Sequence, residues 1–249
     1  MNEIFERKSV RTFTPEPLGV EVRNHLHAEI TQIVTLEACI KFQLIENDPS
    51  PFSSFKASYG VFKNASNYIA CVIDTSFPNA MQKAGYYAQQ IVLYATSLGL
   101  GTCFVSGTYD RAKIKAQFRP DWYMPFIIVV GNPSEEKPSM MARLIKSSIA
   151  KKFDAKDVLA PTAIPFDEVA AKYPKFIEGL KGVAYAPSAM NRHPVRVEIQ
   201  EVEGAPVVKA FTEKDSEINQ INLGIALYNW EKIVGGCWDF GTPAVWIND

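Results

Sequence analysis

Residues 81–107 read MQKAGYYAQQIVLYATSLGLGTCFVSG. Met81, Ala84, Gly85, Ala88, Ile91, Val92, Ala95 and Leu98 recur at three-and-four spacing, which places them on one face of a helix. The opposite face is hardly more polar: Tyr86, Tyr87, Leu93 and Tyr94 cover it, and only Gln82, Lys83, Gln89, Gln90 and Ser97 suit water. The stretch therefore predicts a central helix packed on most sides, with Ala84, Gly85, Ala88 and Ala95 small enough for other elements to approach its backbone. Gly99 offers the left-handed residue that closes a helix, and Leu100-Gly101 turns the chain into 102–107. A buried helix with a glycine-punctuated exit is a rigid platform with free backbone N–H groups beside it, and a ligand is expected there.

Composition narrows the function classes. The chain has 249 residues, 47% hydrophobic and 21% charged, which suits one large or two small globular domains. A net charge of -1 gives no general electrostatic reason to bind nucleic acid or an acidic membrane, so a small-molecule partner is expected. The first residues, MNEIFERKSVR, carry alternating charges without an apolar signal region, and no apolar run is long enough to span a bilayer, which predicts a cytoplasmic protein. Cys39, Cys71, Cys103 and Cys237 are far apart and lack histidines at ligand spacing, so four reduced thiols are expected rather than a metal site or a disulfide framework.

Upstream of the central helix lies a basic arm, Arg7-Lys8-Ser9-Val10-Arg11-Thr12-Phe13, and Pro15 and Pro17 stop any helix there. On an extended arm Arg7, Ser9 and Arg11 point the same way. Guanidinium forks with a neighbouring hydroxyl suit a phosphate, although such an arm, standing alone, is more often a solvated basic surface. A helix is predicted over 20–35, and strands over 40–46 and 68–73, joined by a Ser/Asn/Pro/Gly-rich connection at 47–67 long enough to wall a site. Downstream, 110–118 reads as a short helix and 126–130 (FIIVV) as a buried strand closed by Gly131-Asn132-Pro133. Residues 134–164 lose periodicity and read as a linker that carries Arg143, a second candidate phosphate ligand. Periodicity resumes with a helix at 166–183, the loop 186–194 (APSAMNRHP), strands at 195–202 and 207–211, and a helix at 221–234. The predicted division is 1–133, the linker 134–164, and 165–249.

Four of these segments resemble one family, the FMN-dependent nitroreductases. RKSVRTF is similar to that family's R-x-S-x-R-x-F opening, AGYYAQQIVLYATSLGLGTCFVSG to its central helix and Gly-Leu-Gly exit, FIIVVGNP with Arg143 to its closing segment, and APSAMNRHP to its A-P-S-x-x-N-x-Q-P loop. The resemblance implies an α+β, three-layer fold around a central helix, with antiparallel or mixed sheets and an internal pseudo-two-fold. It implies FMN as cofactor and NAD(P)H as electron donor to a nitro, quinone or similar acceptor. Arg7, Lys8, Ser9 and Arg143 would hold the phosphate and ribityl chain. Arg11 would lie near the pyrimidine edge, where positive charge stabilises the reduced ring. The backbone of Val105, Ser106 and Gly107 would face N5 and O4, and Pro187, Ser188, Ala189 and Asn191 would cover the ring. No side-chain acid or base is required.

Two departures stand out. His193 occupies the place of the family's Gln, and the APS loop follows the helix of the second half while the first half has TQIVTLEAC (31–39) there. The arm position of the second half, KDVLAPTAIPF (156–166), has no Arg-x-Ser-x-Arg. With one arm and one loop in successive half-repeats, the resemblance implies two halves fused in one chain, a pseudo-dimer as monomer or weak homo-oligomer with a single flavin. Rival motifs are poorly matched: Gly99-Leu100-Gly101 follows a helix and lacks the third glycine of a dinucleotide fingerprint, and no G-x-S-x-G is present. The alternative from another class is a non-catalytic flavin- or ligand-binding protein of the same fold.

Overall fold

The structure, a computed structural model, describes residues 2–54, 58–148 and 153–248. In order these carry α1 (Asn2–Glu6), α2 (Val20–Leu36), β1 (Ile40–Ile45), β2 (Tyr68–Ile73), α3 (Ala80–Ser97), β3 (Gly101–Val105), β4 (Tyr123–Gly131), α4 (Met140–Ser148), α5 (Ala155–Val158), α6 (Phe166–Lys172), α7 (Pro174–Tyr185), β5 (Val195–Val202), β6 (Ala205–Thr212), α8 (Glu217–Val234), β7 (Cys237–Asp239) and β8 (Ala244–Ile247). The fold is α+β, and the chain forms two compact units: Glu6–Ala80 with Ile91–Ala150, and Met1–Phe5 with Met81–Gln90 and Lys151–Asp249.

The unit built on Glu6–Ala80 holds an antiparallel sheet in the order β1-β2-β4-β3. Strands β2 and β4 lie in its middle, which is why YIACVI is buried at every position and β4 at all but Tyr123. Under the sheet pack Phe13, Tyr68, Val72, Val105, Trp122, Ile127 and Val129. The other unit holds a second antiparallel sheet, β5-β6-β8-β7. Its core gathers Phe176, Trp230, Trp238 and Trp246, with the Phe176 ring 5.3 Å from Trp230 and 5.4 Å from Trp246. Each sheet has the same order and pairing, a helix before its first strand (α2, α7) and a helix between its second and third (α3, α8), so the halves are a duplicated unit.

The predicted central helix is present as α3, and it closes as its sequence requires. Gly99 takes φ 78°, its N–H donates to the Thr96 carbonyl at 3.0 Å, and the Leu100 N–H donates to Ala95 at 3.0 Å, the paired bonds of a Schellman cap. Within its own unit the first half of α3 crosses α8 at two glycines. A Cβ on Gly85 would lie 2.1 Å from the Ile221 carbonyl oxygen, and one on Gly224 would lie 1.8 Å from that of Gln82. Each glycine thus faces the carbonyl three residues before the other, the reciprocal pattern of an interface between two like surfaces. Beside the crossing, the buried Gln89 donates to Asn229 at 2.9 Å, and Asn229 donates to the Gly182 carbonyl at 2.8 Å.

Several expectations change. Residues 110–118 form no α-helix but a single 3-10 turn, Arg111–Lys113, whose Asp110 side chain accepts from the Ala112 N–H. The helix expected over 166–183 is broken at Tyr173, because Pro174 disfavours helical backbone in the residue before it and opens α7 instead. The stretch 134–164 carries α4 and also α5, which opens on a capping box made by Asp154 and Asp157; its residues 149–152, like 55–57 of the 47–67 connection, lie outside the described residues. Strands β3, β7 and β8 have three to five residues each, too short for alternation to reveal.

Candidate functional site

The basic arm is laid along the edge of the first sheet. Its Val10 N–H donates to the Thr102 carbonyl at 2.9 Å, and Ser9 bridges Thr102 in parallel fashion. Phe13 and Arg11 exchange backbone bonds with Lys63 at 3.0 and 2.9 Å, and Thr14 and Ser134 close the arm onto 132–134. Gly101 and Gly131 are paired across β3 and β4, and both make room for the arm: a Cβ on Gly101 would lie 2.7 Å from Val10, and one on Gly131 2.9 Å from Phe13. The glycine exit of the central helix therefore lets the arm dock, and Phe13, 2% exposed, anchors it.

Alternation along the arm turns Val10 to the sheet and brings Arg7, Ser9 and Arg11 together around the buried thiol of Cys103. Burial pushes the Cys103 thiol up, against the pull of Arg11 and Arg7 and a hydrogen bond with Ser9. Burial likewise pulls the Arg7 guanidinium down from its ordinary value, and its Nε is buried with no hydrogen-bond partner. Among the described residues neither Arg7 nor Arg11 forms an ion pair. Two guanidiniums with a buried, unsatisfied N–H and a hydroxyl are groups that can pair with an anion. Lys8 is exposed, as are Ser106 and Gly107, which leave the sheet at the end of β3, and a Cβ on Gly107 would meet open space. Arg143 is exposed on α4 and shares no hydrogen bond or ion pair with the arm among the described residues. Cys103 was not a candidate in the sequence, since nothing in a lone cysteine shows that two arginines fold beside it.

The second set of candidates lies in the other unit, on the loop between α7 and β5. Ser188 Oγ accepts from the His193 N–H at 2.9 Å, and Asn222 Oδ1 on α8 accepts from the Ala189 N–H at 3.1 Å. Between these ties Met190, Asn191 and His193 all take left-handed backbone, with φ of 52°, 53° and 47°. Left-handed backbone costs about 1–2 kcal/mol for an ordinary residue and less for asparagine, so Met190 and His193 carry most of the strain here. His193 Nε2 lies 2.9 Å from the Asn191 amide oxygen, and its ring stacks on Phe153 at 4.3 Å and 27°. A small cavity beneath the loop is lined by Pro187, Ser188, Val158, Val183, Asn222 and Ala226, among others.

The duplicated α+β unit, an antiparallel four-stranded sheet with its helices in each half, is a nitroreductase-like fold. The family model described as "Putative TM nitroreductase" matches residues 1–233, and the chain belongs to that family. The solved structure of a "putative nitroreductase" from Thermotoga maritima is similar over 98% of this chain and 90% of its own, with a TM-score of 0.61 and 21% identity. An FMN-dependent nitroreductase from Clostridium difficile is similar over 55% of this chain and 89% of its own (TM-score 0.43, 18% identity). A nitroreductase with bound FMN from Desulfitobacterium hafniense is similar over 55% and 93% (TM-score 0.45, 19% identity). No curated protein matches the chain. No described helix is long and apolar enough to cross a membrane.

Proposed function

We propose that the protein is an FMN-dependent oxidoreductase that passes electrons from NAD(P)H to a nitro, quinone or similar acceptor. The observation that carries this reading is the buried, unpartnered Nε of Arg7, beside Arg11 and Ser9 on an arm held by the sheet edge. The residues present fit FMN: its phosphate is a dianion that needs cationic forks, and the arm offers two with a hydroxyl. Arg7, Lys8, Ser9 and Arg143 would hold the phosphate and ribityl chain. Arg11 would stabilise negative charge at the pyrimidine edge, and the backbone of 105–107 with Pro187, Ser188, Ala189 and Asn191 would contact the ring. Bound FMN supplies the two-electron carrier, so this chain's own part is to bind, orient and tune it. The arm's backbone bonds and its Val10 and Phe13 seats tie it to the sheet edge, and an arm so held would lower the ordering cost of binding.

The test is reconstitution followed by reduction. Folded protein incubated with FMN is expected to retain yellow flavin through desalting, and NADH or NADPH added without oxygen is expected to bleach it. Colourless protein after desalting refutes the flavin reading. Retained flavin that neither donor bleaches leaves the alternative, a flavin-binding protein without turnover.

A further inference from the structure

The loop between α7 and β5 is closed on one residue. The Ser188 carbonyl accepts from the Asn191 N–H at 3.0 Å, and the Ser188 hydroxyl accepts from the His193 N–H at 2.9 Å. These two bonds span the left-handed residues Met190, Asn191 and His193. A tie from there to the body of the unit is made by the next N–H along the chain, that of Ala189, which donates to Asn222 Oδ1 on α8 at 3.1 Å. A peptide group is planar and trans, so the Ala189 N–H and the Ser188 carbonyl point in opposite directions, and an acceptor that fixes the one fixes the other. Asn222 therefore orients the carbonyl on which the turn 188–191 closes. It also stands out on its own helix. Residues 221–227 are buried throughout, and Asn222, 5% exposed, is the one polar side chain among them. A buried amide costs stability unless it is hydrogen-bonded, and packing alone would suit an apolar residue there, since Val183 and Ala226 line the same small cavity.

We infer that Asn222 is a positioning residue: from α8 it holds the Ser188–Ala189 peptide and, through it, the turn that presents Ser188, Ala189 and Asn191 to a ligand. This rests on the FMN reading above, in which those residues contact the flavin ring. Asn222 then acts on ring contacts and not on the phosphate. FMN and riboflavin share the ring and differ in the phosphate, so both depend on Asn222 to the same degree.

The first measurement needs no flavin. In amide exchange of the apo protein, read by proton–nitrogen NMR, Asn222→Leu is expected to speed exchange of the Ala189 N–H by about tenfold or more, and Asn222→Asp, which keeps an acceptor oxygen, to leave it protected. Equal exchange in the parent and Asn222→Leu overturns the inference whether or not the protein binds FMN. An Asp variant that exchanges as fast as Leu at an equal urea midpoint overturns it as well, because the acceptor is then not what protects the N–H. The second measurement is the dissociation constant of FMN and of riboflavin from flavin fluorescence. Asn222→Leu is expected to weaken both by the same factor, about three- to tenfold, the worth of one neutral hydrogen bond. Its urea midpoint is expected to stay within about 0.3 M of the parent, since an apolar side chain suits the buried position. Unchanged dissociation constants, or a loss for FMN that riboflavin does not share, overturn the inference. Should leucine lower the midpoint, the same changes in exchange and binding are expected of Asn222→Ala, and their absence there overturns it. If the parent chain binds neither flavin, the functional reading falls, and the exchange measurement still decides the Asn222–Ala189 tie.

Discussion

Replacing Gly224 by alanine tests the reciprocal crossing of α3 and α8. In an open helix interior this change is favourable by about 1 kcal/mol, because alanine restricts the unfolded chain and glycine does not. Here the new Cβ would lie 1.8 Å from the Gln82 carbonyl oxygen and 2.8 Å from the Tyr86 nitrogen, and the matching change at Gly85 places one 2.1 Å from the Ile221 oxygen. These are backbone atoms of helices, and no side chain can rotate away to make space, so the helices must part by roughly an ångström, at the upper end of the 1–3 kcal/mol that overpacking costs. Separation also weakens the buried Gln89–Asn229 bond. Net of propensity, each variant is expected to lose about 2 kcal/mol. In urea, followed by the fluorescence of Trp230, Trp238 and Trp246, this lowers the midpoint by about 1 M. The two changes are expected to be less than additive, since helices parted by the first Cβ already have room for the second. Gly19→Ala is the control: its φ is -58°, nothing lies within 4 Å, and it is expected to stay within about 0.5 kcal/mol. An unchanged or raised midpoint for Gly85→Ala or Gly224→Ala refutes the close crossing.

On the flavin reading, Arg7→Ala and Arg143→Ala are expected to weaken FMN binding roughly ten- to a hundredfold, at about 1.5–3 kcal/mol per charge-assisted bond, while Arg11→Ala mainly lowers the flavin midpoint potential. Equal effects of all three on both quantities contradict that division. Because only the first half carries the arm and only the second the APS loop, saturation is expected at one FMN per chain; a ratio of two by absorbance shows that each half binds its own. Burial raises the Asp48 carboxyl, but hydrogen bonds from Ser50, Tyr68 and Lys115 outweigh it and leave the group below the usual aspartate range. Its contribution is therefore complete above the unfolded value near pH 4 and is lost as pH falls through the depressed folded value. Urea midpoints across that window are expected to fall more steeply for the parent than for Asp48→Asn, which should cost about 1–3 kcal/mol at neutral pH by weakening the bond from the buried Tyr68 hydroxyl. Parallel acid limbs contradict this role.

Much was legible in the residues alone, and for local reasons. The period of 81–98 and the left-handed demand at Gly99 made α3 and its cap, since a Schellman closure needs only a helix and a glycine after it. YIACVI read as a buried strand because a central strand is apolar on both faces. The alternation Arg7, Ser9, Arg11 was visible as a set that shares one side of an extended arm. What the residues alone left open depends on partners remote in the chain. A phosphate arm and a solvated basic surface have the same letters; what the fold adds is that Gly101 and Gly131, thirty residues apart, pair and admit Val10 and Phe13, and that the Arg7 Nε is then buried without a hydrogen-bond partner. The roles of Gly85 and Gly224 follow from carbonyls more than 130 residues away. Propensity and periodicity act over a few residues, whereas the desolvation of a guanidinium or the close approach of two backbones exists only once the chain has folded.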